Sequence, residues 1–127
     1  MVSFAVSCIS LNLSFQKPFN PILGETFQGF FEEGTRVYCE HTSHHPPIAN
    51  FLVVDPQESY EFFGFHEFKA KLSKNSLTMK NEGPNNIKFK DGQLITYQYP
   101  GNKVSGLIWG EKQVSIEGSM MFVDKEN

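Results

Sequence analysis

Residues 59–72 read SYEFFGFHEFKAKL, and the alternation within this stretch decides the fold class of the chain. Mostly apolar side chains occupy every second position, namely Tyr60, Phe62, His66, Phe68, Ala70 and Leu72. The intervening positions carry the charged side chains Glu61, Glu67, Lys69 and Lys71, interrupted by Phe63 and Phe65. A period of two is that of a strand with one buried face, so the stretch predicts a long β-strand that bends near Gly64.

The flanking sequence continues in the same way. Short apolar or alternating runs recur at the spacing of roughly 8–12 residues that is typical of an antiparallel sheet, a meander or a barrel. The Asp91-Gly92 pair between the runs 87–90 and 93–99 predicts a hairpin. The chain contains 13 Phe but few Ala, which favours strands over helices. We therefore predict a mainly β protein of about nine strands, with a short helix near its N-terminus.

Length, charge and hydropathy exclude several classes of protein. The 127 residues suffice for one domain, and their net charge of -3 excludes nucleic-acid binding through bulk electrostatics. The longest apolar run, Phe51 to Val54, is far too short to span a membrane, and the N-terminus lacks the basic region of a signal peptide. Cys8 and Cys39 cannot form a disulfide framework, which favours a reducing compartment such as the cytoplasm. No cofactor is expected.

The two ends of the chain predict that it is part of a longer domain. The sequence begins abruptly with the apolar run from Met1 to Ile9, and it stops at the turn-like sequence Lys125-Glu126-Asn127. The last three predicted strands are residues 104–109, 113–117 and 119–123. We expect the final hairpin to lack a partner strand.

The densest polar cluster lies at residues 40–47, which read EHTSHHPP. A zinc site could use His41, His44 and His45, but adjacent His44 and His45 on a regular strand point to opposite faces. Nucleophilic catalysis by Ser43 or Cys39 would need a base and an oxyanion hole, and no nucleophile-elbow motif is present. The third interpretation is anion recognition, because imidazoles can donate to phosphate oxygens.

A second segment, Lys17-Pro18-Phe19-Asn20-Pro21, favours the anion interpretation without closing the others. Its two prolines fix the backbone, so Lys17 would offer a full positive charge at a reduced ordering cost. The alternative remains that the histidines and prolines only form a turn at the end of a strand.

These two segments resemble the oxysterol-binding protein family. Residues 40–47 are similar to the family sequence E-Q-V-S-H-H-P-P, and residues 17–27, KPFNPILGETF, are similar to K-P-F-N-P-L-L-G-E-T-F. The two motifs occur in the family's order, and the similarity continues through Ile108-Trp109-Gly110, Ile116 and Gly118.

The resemblance implies a fold and a function. The family's domain is an incomplete antiparallel β-barrel around a hydrophobic tunnel, which is closed by an N-terminal lid. The tunnel carries a sterol or another lipid and, in many members, phosphatidylinositol 4-phosphate, for transfer between membranes. Carried over, the resemblance assigns phosphate contacts to Lys17, His44 and His45, with Asn20 as a further candidate, and no catalytic or metal-binding residues. It implies a cytoplasmic protein that is peripheral at membranes or membrane contact sites.

Two differences from the family affect these expectations. His41 and Thr42 replace the family's Gln and Val beside the histidine pair. The family's domain is also longer, so we expect residues 1–127 to be a partial domain without its lid and C-terminal portion, and such a fragment to self-associate. The alternatives are a small zinc-dependent hydrolase built on His41, His44 and His45, and a structural β module without a ligand.

Overall fold

A computed structural model describes residues 1–10 and 19–125. One helix precedes ten strands: α1 (Val2–Ile9), β1 (Thr26–Phe30), β2 (Arg36–His44), β3 (Pro47–Val54), β4 (Tyr60–Ser73), β5 (Ser76–Glu82), β6 (Asn85–Phe89), β7 (Leu94–Tyr97), β8 (Gly101–Ser105), β9 (Gln113–Glu117) and β10 (Phe122–Lys125). All strand pairs are antiparallel. Within the described residues, no helix is long and apolar enough to cross a membrane.

The strands form one sheet that forks at β4. Strands β1 to β4 pair in sequence order, and beyond β4 the sheet divides into a β5–β8–β9 branch and a β6–β7–β10 branch. Both branches start from the same edge of β4, because β6 pairs with its first half and β5 with its second half. The sheet is not closed. The long strand β4 connects strands β1–β3 to both branches, because it pairs with β3, β5 and β6.

The fork lies where two glycines face two carbonyl groups. Strands β5 and β6 keep one continuous register with β4, from Ser73 opposite Ser76 to Tyr60 opposite Phe89. Pro84 interrupts this ribbon, because its nitrogen carries no hydrogen for the ladder. A side chain on Gly64 would collide with the Pro84 carbonyl oxygen, and one on Gly83 would collide with the Phe65 carbonyl oxygen. The ribbon can therefore bend here only because both positions lack a side chain.

Helix α1 covers the concave face of the β6–β7–β10 branch. The fully buried Ala5 packs with Ile87 and Tyr97 in the core, and Phe62 and Phe122 border them. The Phe4 ring meets the Phe62 ring edge-on at a centroid distance of 5.7 Å. The small Ala5 side chain lets the short helix approach the sheet closely, so the aromatic side chains of three strands share one core.

The predicted fold class is confirmed, and three details differ. The final strand has a partner, because β10 pairs with β7 rather than with β9. Residues 106–109, expected in a strand, follow the end of β8, and Asn75 rather than a neighbouring strand binds the backbone of residues 107–109. Asn85, expected in a loop, begins β6 and is almost fully buried.

We predict that Gly64→Ala destabilises the protein by about 1–3 kcal/mol, because the new methyl group overpacks the bend against the Pro84 carbonyl. Urea denaturation measures the free energy of unfolding. Gly101→Ala is the matched control, since its methyl group would meet its nearest atoms, the Lys80 side chain and the Met79 carbonyl oxygen, at 3.4 Å, which is ordinary van der Waals contact. Equal losses in the two variants would contradict this account of the fork.

Candidate functional site

A one-residue bulge in β2 determines where the histidines point. His41 pairs with Ala49 and Ser43 pairs with Ile48, so Thr42 is an extra residue without a partner on β3. The Thr42 hydroxyl accepts a hydrogen bond of 2.7 Å from the Asn50 side chain, which holds the bulge. Residues three apart on a regular strand face opposite sides, and one extra residue reverses this relation. His41 and His44 therefore lie on the same face of the sheet.

The three histidines of the EHTSHHPP segment form a continuous cluster. His41 Nε2 lies 3.4 Å from His44 Nδ1, and the His44 and His45 rings lie 5.0 Å apart, edge to face. His41 is only 6% exposed, whereas His44 and His45 are exposed to solvent. The structure thus brings His44 and His45 together, with the buried His41 behind His44, despite the sequence expectation for a regular strand.

The loop before β1 is attached to this cluster through its backbone. The Gly24 amide donates to the His41 carbonyl oxygen at 2.8 Å, and the His41 amide donates to the Glu25 carbonyl oxygen at 2.9 Å. A groove of about 360 Å³ is lined by Phe19, Asn20 and Pro21 of this loop and by His41 and His44. Asn20 therefore lines the same groove as these two histidines, whereas Lys17 lies outside the described residues.

The geometry gives no support to the hydrolase alternatives. Among residues 1–10 and 19–125, no three His, Cys, Asp or Glu side chains are arranged to hold a metal ion. Ser43 follows the bulge and precedes His44 on β2, so the two point to opposite faces. Burial raises the pKa of the Cys39 thiol, which disfavours the nucleophilic thiolate.

A second, larger groove continues from the first along the concave face. It has a volume of about 470 Å³ and shares Ala49, His66 and Phe68 with the histidine groove. Phe51 and Phe62 contribute apolar wall. The two spaces together form an apolar channel that opens beside the histidines.

Uncharged polar groups line one part of this channel. His66 Nε2 lies 3.0 Å from the Asn85 Oδ1, and Asn85 Nδ2 donates to the Tyr97 carbonyl oxygen at 3.4 Å. Burial lowers the pKa of His66 and raises the pKa of Tyr97 and Tyr99, so all three side chains stay neutral at neutral pH. The channel therefore suits an apolar ligand that carries a small uncharged polar group.

The sequence analysis did not identify this polar group as part of a site. The only signal was the position of His66 between Phe62 and Phe68 on the predicted inner face of one strand. Asn85 gave none, because it follows Gly83-Pro84 in a stretch typical of a loop.

Comparison with known proteins agrees with the fold and with the two sequence motifs. The family described as oxysterol-binding protein matches residues 1–127. The chain belongs to the oxysterol-binding protein family. The match confirms the resemblance seen in the sequence. Members of this family bind lipids and are not enzymes, in agreement with the expectation that the chain is not an enzyme.

Individual relatives cover the chain almost completely. Oxysterol-binding protein 9 of Dictyostelium discoideum is 36% identical over 127 residues, which are 100% of this chain and 30% of that protein. Oxysterol-binding protein-related protein 3B of Arabidopsis thaliana is 32% identical over 98% of this chain and 28% of its own length. The chain thus spans less than a third of these relatives.

Solved structures of the family show the same fold. The Osh3 ORD from Saccharomyces cerevisiae, in complex with PI(4)P, has a TM-score of 0.77 and 31% identity over 86% of this chain and 29% of its own. The Osh1 ORD domain in complex with cholesterol has a TM-score of 0.75 and 34% identity over 85% of this chain and 27% of its own. A sterol and a phosphoinositide are therefore the ligands of these two structural relatives.

We predict that His66 makes the protein sensitive to acid. In the unfolded state the pKa of His66 returns to its usual value of 6.5. Just below that pH, His66 is therefore protonated in the unfolded state but not in the folded state. This contribution to stability is present above pH 6.5 and is lost as the pH falls toward the lowered pKa of the folded state. His66→Gln, which keeps an amide beside Asn85 but cannot titrate, should reduce the fall in Tm on acidification. The same fall in Tm for both proteins would contradict the assignment.

Proposed function

We propose that the chain forms part of a lipid-binding domain that carries a sterol or another lipid between membranes and recognises phosphatidylinositol 4-phosphate at the mouth of its channel. In this proposal, His44 and His45 contact the phosphate, Lys17 adds a full positive charge, and Asn20 contributes from the adjoining loop. The apolar channel holds the hydrocarbon part of either lipid.

One observation carries the proposal: the bulge at Thr42 puts His44 on the same face as His41, and both side chains line the groove that adjoins the apolar channel. The His45 ring contacts the His44 ring from outside this groove lining. A phosphoinositide needs both environments, because its acyl chains favour apolar walls and its phosphate favours hydrogen-bond donors. The exposed His44 and His45 can each donate to phosphate oxygens from the rim. The position of Lys17, two residues before Phe19 of the groove wall, supports its role as the charged partner.

The neutral polar groups inside the channel support a sterol as the second ligand. His66 and Asn85 could exchange hydrogen bonds with a single hydroxyl, because both side chains offer neutral donors or acceptors. A sterol and a phosphoinositide would then share the apolar walls and differ in their polar contacts.

The setting of this activity is also a proposal. A lipid carrier must meet bilayers and leave them, so we place the protein in the cytoplasm and peripherally at membranes or membrane contact sites. Since the chain spans 30% of its Dictyostelium relative, we propose that a lid and further headgroup contacts come from other parts of a longer domain. Residues 1–127 are then a partial domain.

The test changes both exposed histidines. We predict that His44→Ala/His45→Ala in the full-length protein abolishes extraction of phosphatidylinositol 4-phosphate from vesicles and leaves sterol extraction largely intact. The phosphate headgroup loses two hydrogen-bond donors in this variant, whereas a sterol hydroxyl does not depend on them.

Lys17→Ala is the companion variant. It should weaken phosphoinositide extraction more than sterol extraction, because a sterol hydroxyl carries no charge for the ammonium group to pair with. Phosphoinositide extraction that survives the double histidine substitution would contradict the proposed headgroup site. A parallel loss of both lipids in either variant would indicate misfolding instead, and circular dichroism would detect it.

We further propose that residues 1–127, expressed alone, self-associate. Phe27 and Phe30 are exposed on the edge strand β1, and Phe68 and Leu72 are exposed on β4. Exposed strand edges and contiguous apolar surface favour association. Light scattering should detect dimers or larger species, and a strictly monomeric chain that transfers lipid efficiently would contradict this expectation.

A further inference from the structure

Asn75, at the tip of the β4–β5 hairpin, braces the loop that follows β8. Its Oδ1 accepts hydrogen bonds from the Ile108 amide at 2.8 Å and the Trp109 amide at 3.2 Å, and its Nδ2 donates to the Trp109 carbonyl oxygen at 2.9 Å. The Asn75 carbonyl oxygen also accepts a hydrogen bond from the Leu107 amide at 3.3 Å. One residue thus fixes the backbone of three consecutive residues that are more than thirty positions away.

The braced loop presents large apolar side chains to solvent. Ile108 is 73% exposed and Trp109 is 60% exposed. An ordered loop loses conformational entropy, and here that cost is not offset by burial of its own apolar side chains. A loop held in this form is therefore pre-organised for contact with another apolar phase.

The loop lies at the same end of the sheet as the histidine cluster. Strand β2 ends at His44, β4 ends at Ser73 and β8 ends at Ser105. These strands run in the same direction, because each is separated from the next along the β1–β5–β8 path by one antiparallel strand. The β2–β3 turn, the Asn75 hairpin and the braced loop therefore emerge from one end.

The Asn75 hairpin extends past the β2–β3 turn at this end of the sheet. Strand β4 continues from Glu67, the partner of Ile48, to Ser73, which is about 20 Å at the rise of an extended strand. The braced loop, which Asn75 holds beside the hairpin tip, therefore also lies beyond the end of the β2–β3 pair.

The charges around the loop indicate which apolar partner it contacts. Lys71 and Lys74 are exposed on the hairpin, and Lys112 is exposed just after the loop. One acidic residue, Glu111, lies among them. Lys69 is less available, because it is paired with Glu67 and Glu82. A net positive border in a chain of net charge -3 fits an anionic bilayer surface, where lysines bind lipid headgroups and Trp favours the interface.

We propose that the loop of residues 106–110, braced by Asn75, inserts Ile108 and Trp109 into the interface of an anionic bilayer and so docks the open end of the channel on the membrane. This inference rests on the proposed function for its partner, since it takes the channel to exchange lipid with a bilayer. It assigns membrane contact to a surface separate from the histidine cluster.

The experiment uses the full-length protein and vesicles of phosphatidylcholine with phosphatidylserine, without sterol or phosphoinositide. Ile108→Ser/Trp109→Ser should lower the vesicle partition coefficient by about tenfold or more, because two large side chains lose their burial in the bilayer. Asn75→Ala should cause a smaller loss, since the side chains remain but their loop is no longer held. Vesicles of phosphatidylcholine alone should bind the wild type more weakly.

A matched control and a local probe make the result specific. Phe30→Ser removes an 82% exposed aromatic side chain at the end of β1 that lies away from the histidines, and it should leave vesicle binding unchanged. The emission of Trp109, isolated as the difference between the wild type and Trp109→Phe, should be quenched by vesicles whose acyl chains carry bromine.

Three results would overturn the inference: vesicle binding by Ile108→Ser/Trp109→Ser equal to that of the wild type, an equal loss in Phe30→Ser, or Trp109 emission that brominated lipids do not quench. The last result would mean that another part of the protein covers the loop. The His44→Ala/His45→Ala variant separates this inference from the proposed function. It should bind these vesicles normally while failing to extract phosphoinositide, so either proposal can fail alone.

Discussion

The close approach of Gly64 and Gly83 to two backbone carbonyl groups is the constraint on which the rest of the structure depends. It allows the long β4 ribbon to bend at Pro84 while keeping a single register on both sides of the bend. A bent ribbon gives the sheet a concave face, and the fork supplies two branches to line that face. The buried aromatic core and the apolar channel are both consequences of this bend.

The channel combines two chemical environments: a histidine cluster that depends on a β-bulge, and a group of buried neutral polar side chains. The bulge at Thr42 directs His41 and His44 to the same face, where the buried His41 and the exposed His44 line a groove together with the loop that contains Asn20. In the adjoining groove, burial keeps His66 and Tyr99 uncharged, and Asn85 contacts His66. The solved relatives, of which this chain covers 27% and 29%, are complexes with cholesterol and with PI(4)P.

The parts of the structure that were predictable from the sequence are those determined by residues close together along the chain. The alternation of residues 59–72 and the Asp91-Gly92 turn express local preferences, and both predictions are confirmed. The run from Leu107 to Trp109 also has the composition of a strand, but a hydrogen-bonding side chain at Asn75 determines its structure, and no local pattern encodes that partner. The bulge and the fork likewise depend on pairing between distant segments. The candidate site residues could be identified from two family motifs. Their spatial arrangement could not be predicted from the sequence.

Because of the Thr42 bulge, the direction of the His44 side chain depends on the number of residues that precede it in β2. Because side-chain direction alternates along a strand, the count of residues between His41 and His44 matters more than the identity of the residues between them. A substitution at Thr42 changes one hydrogen bond with Asn50, whereas loss or gain of one residue would turn His44 and everything after it toward the other face. Evolution at this position is therefore expected to tolerate varied side chains, such as the Thr found here, and to reject insertions and deletions. The geometry of the segment thus constrains the number of residues between the two histidines more strongly than the side chain at position 42.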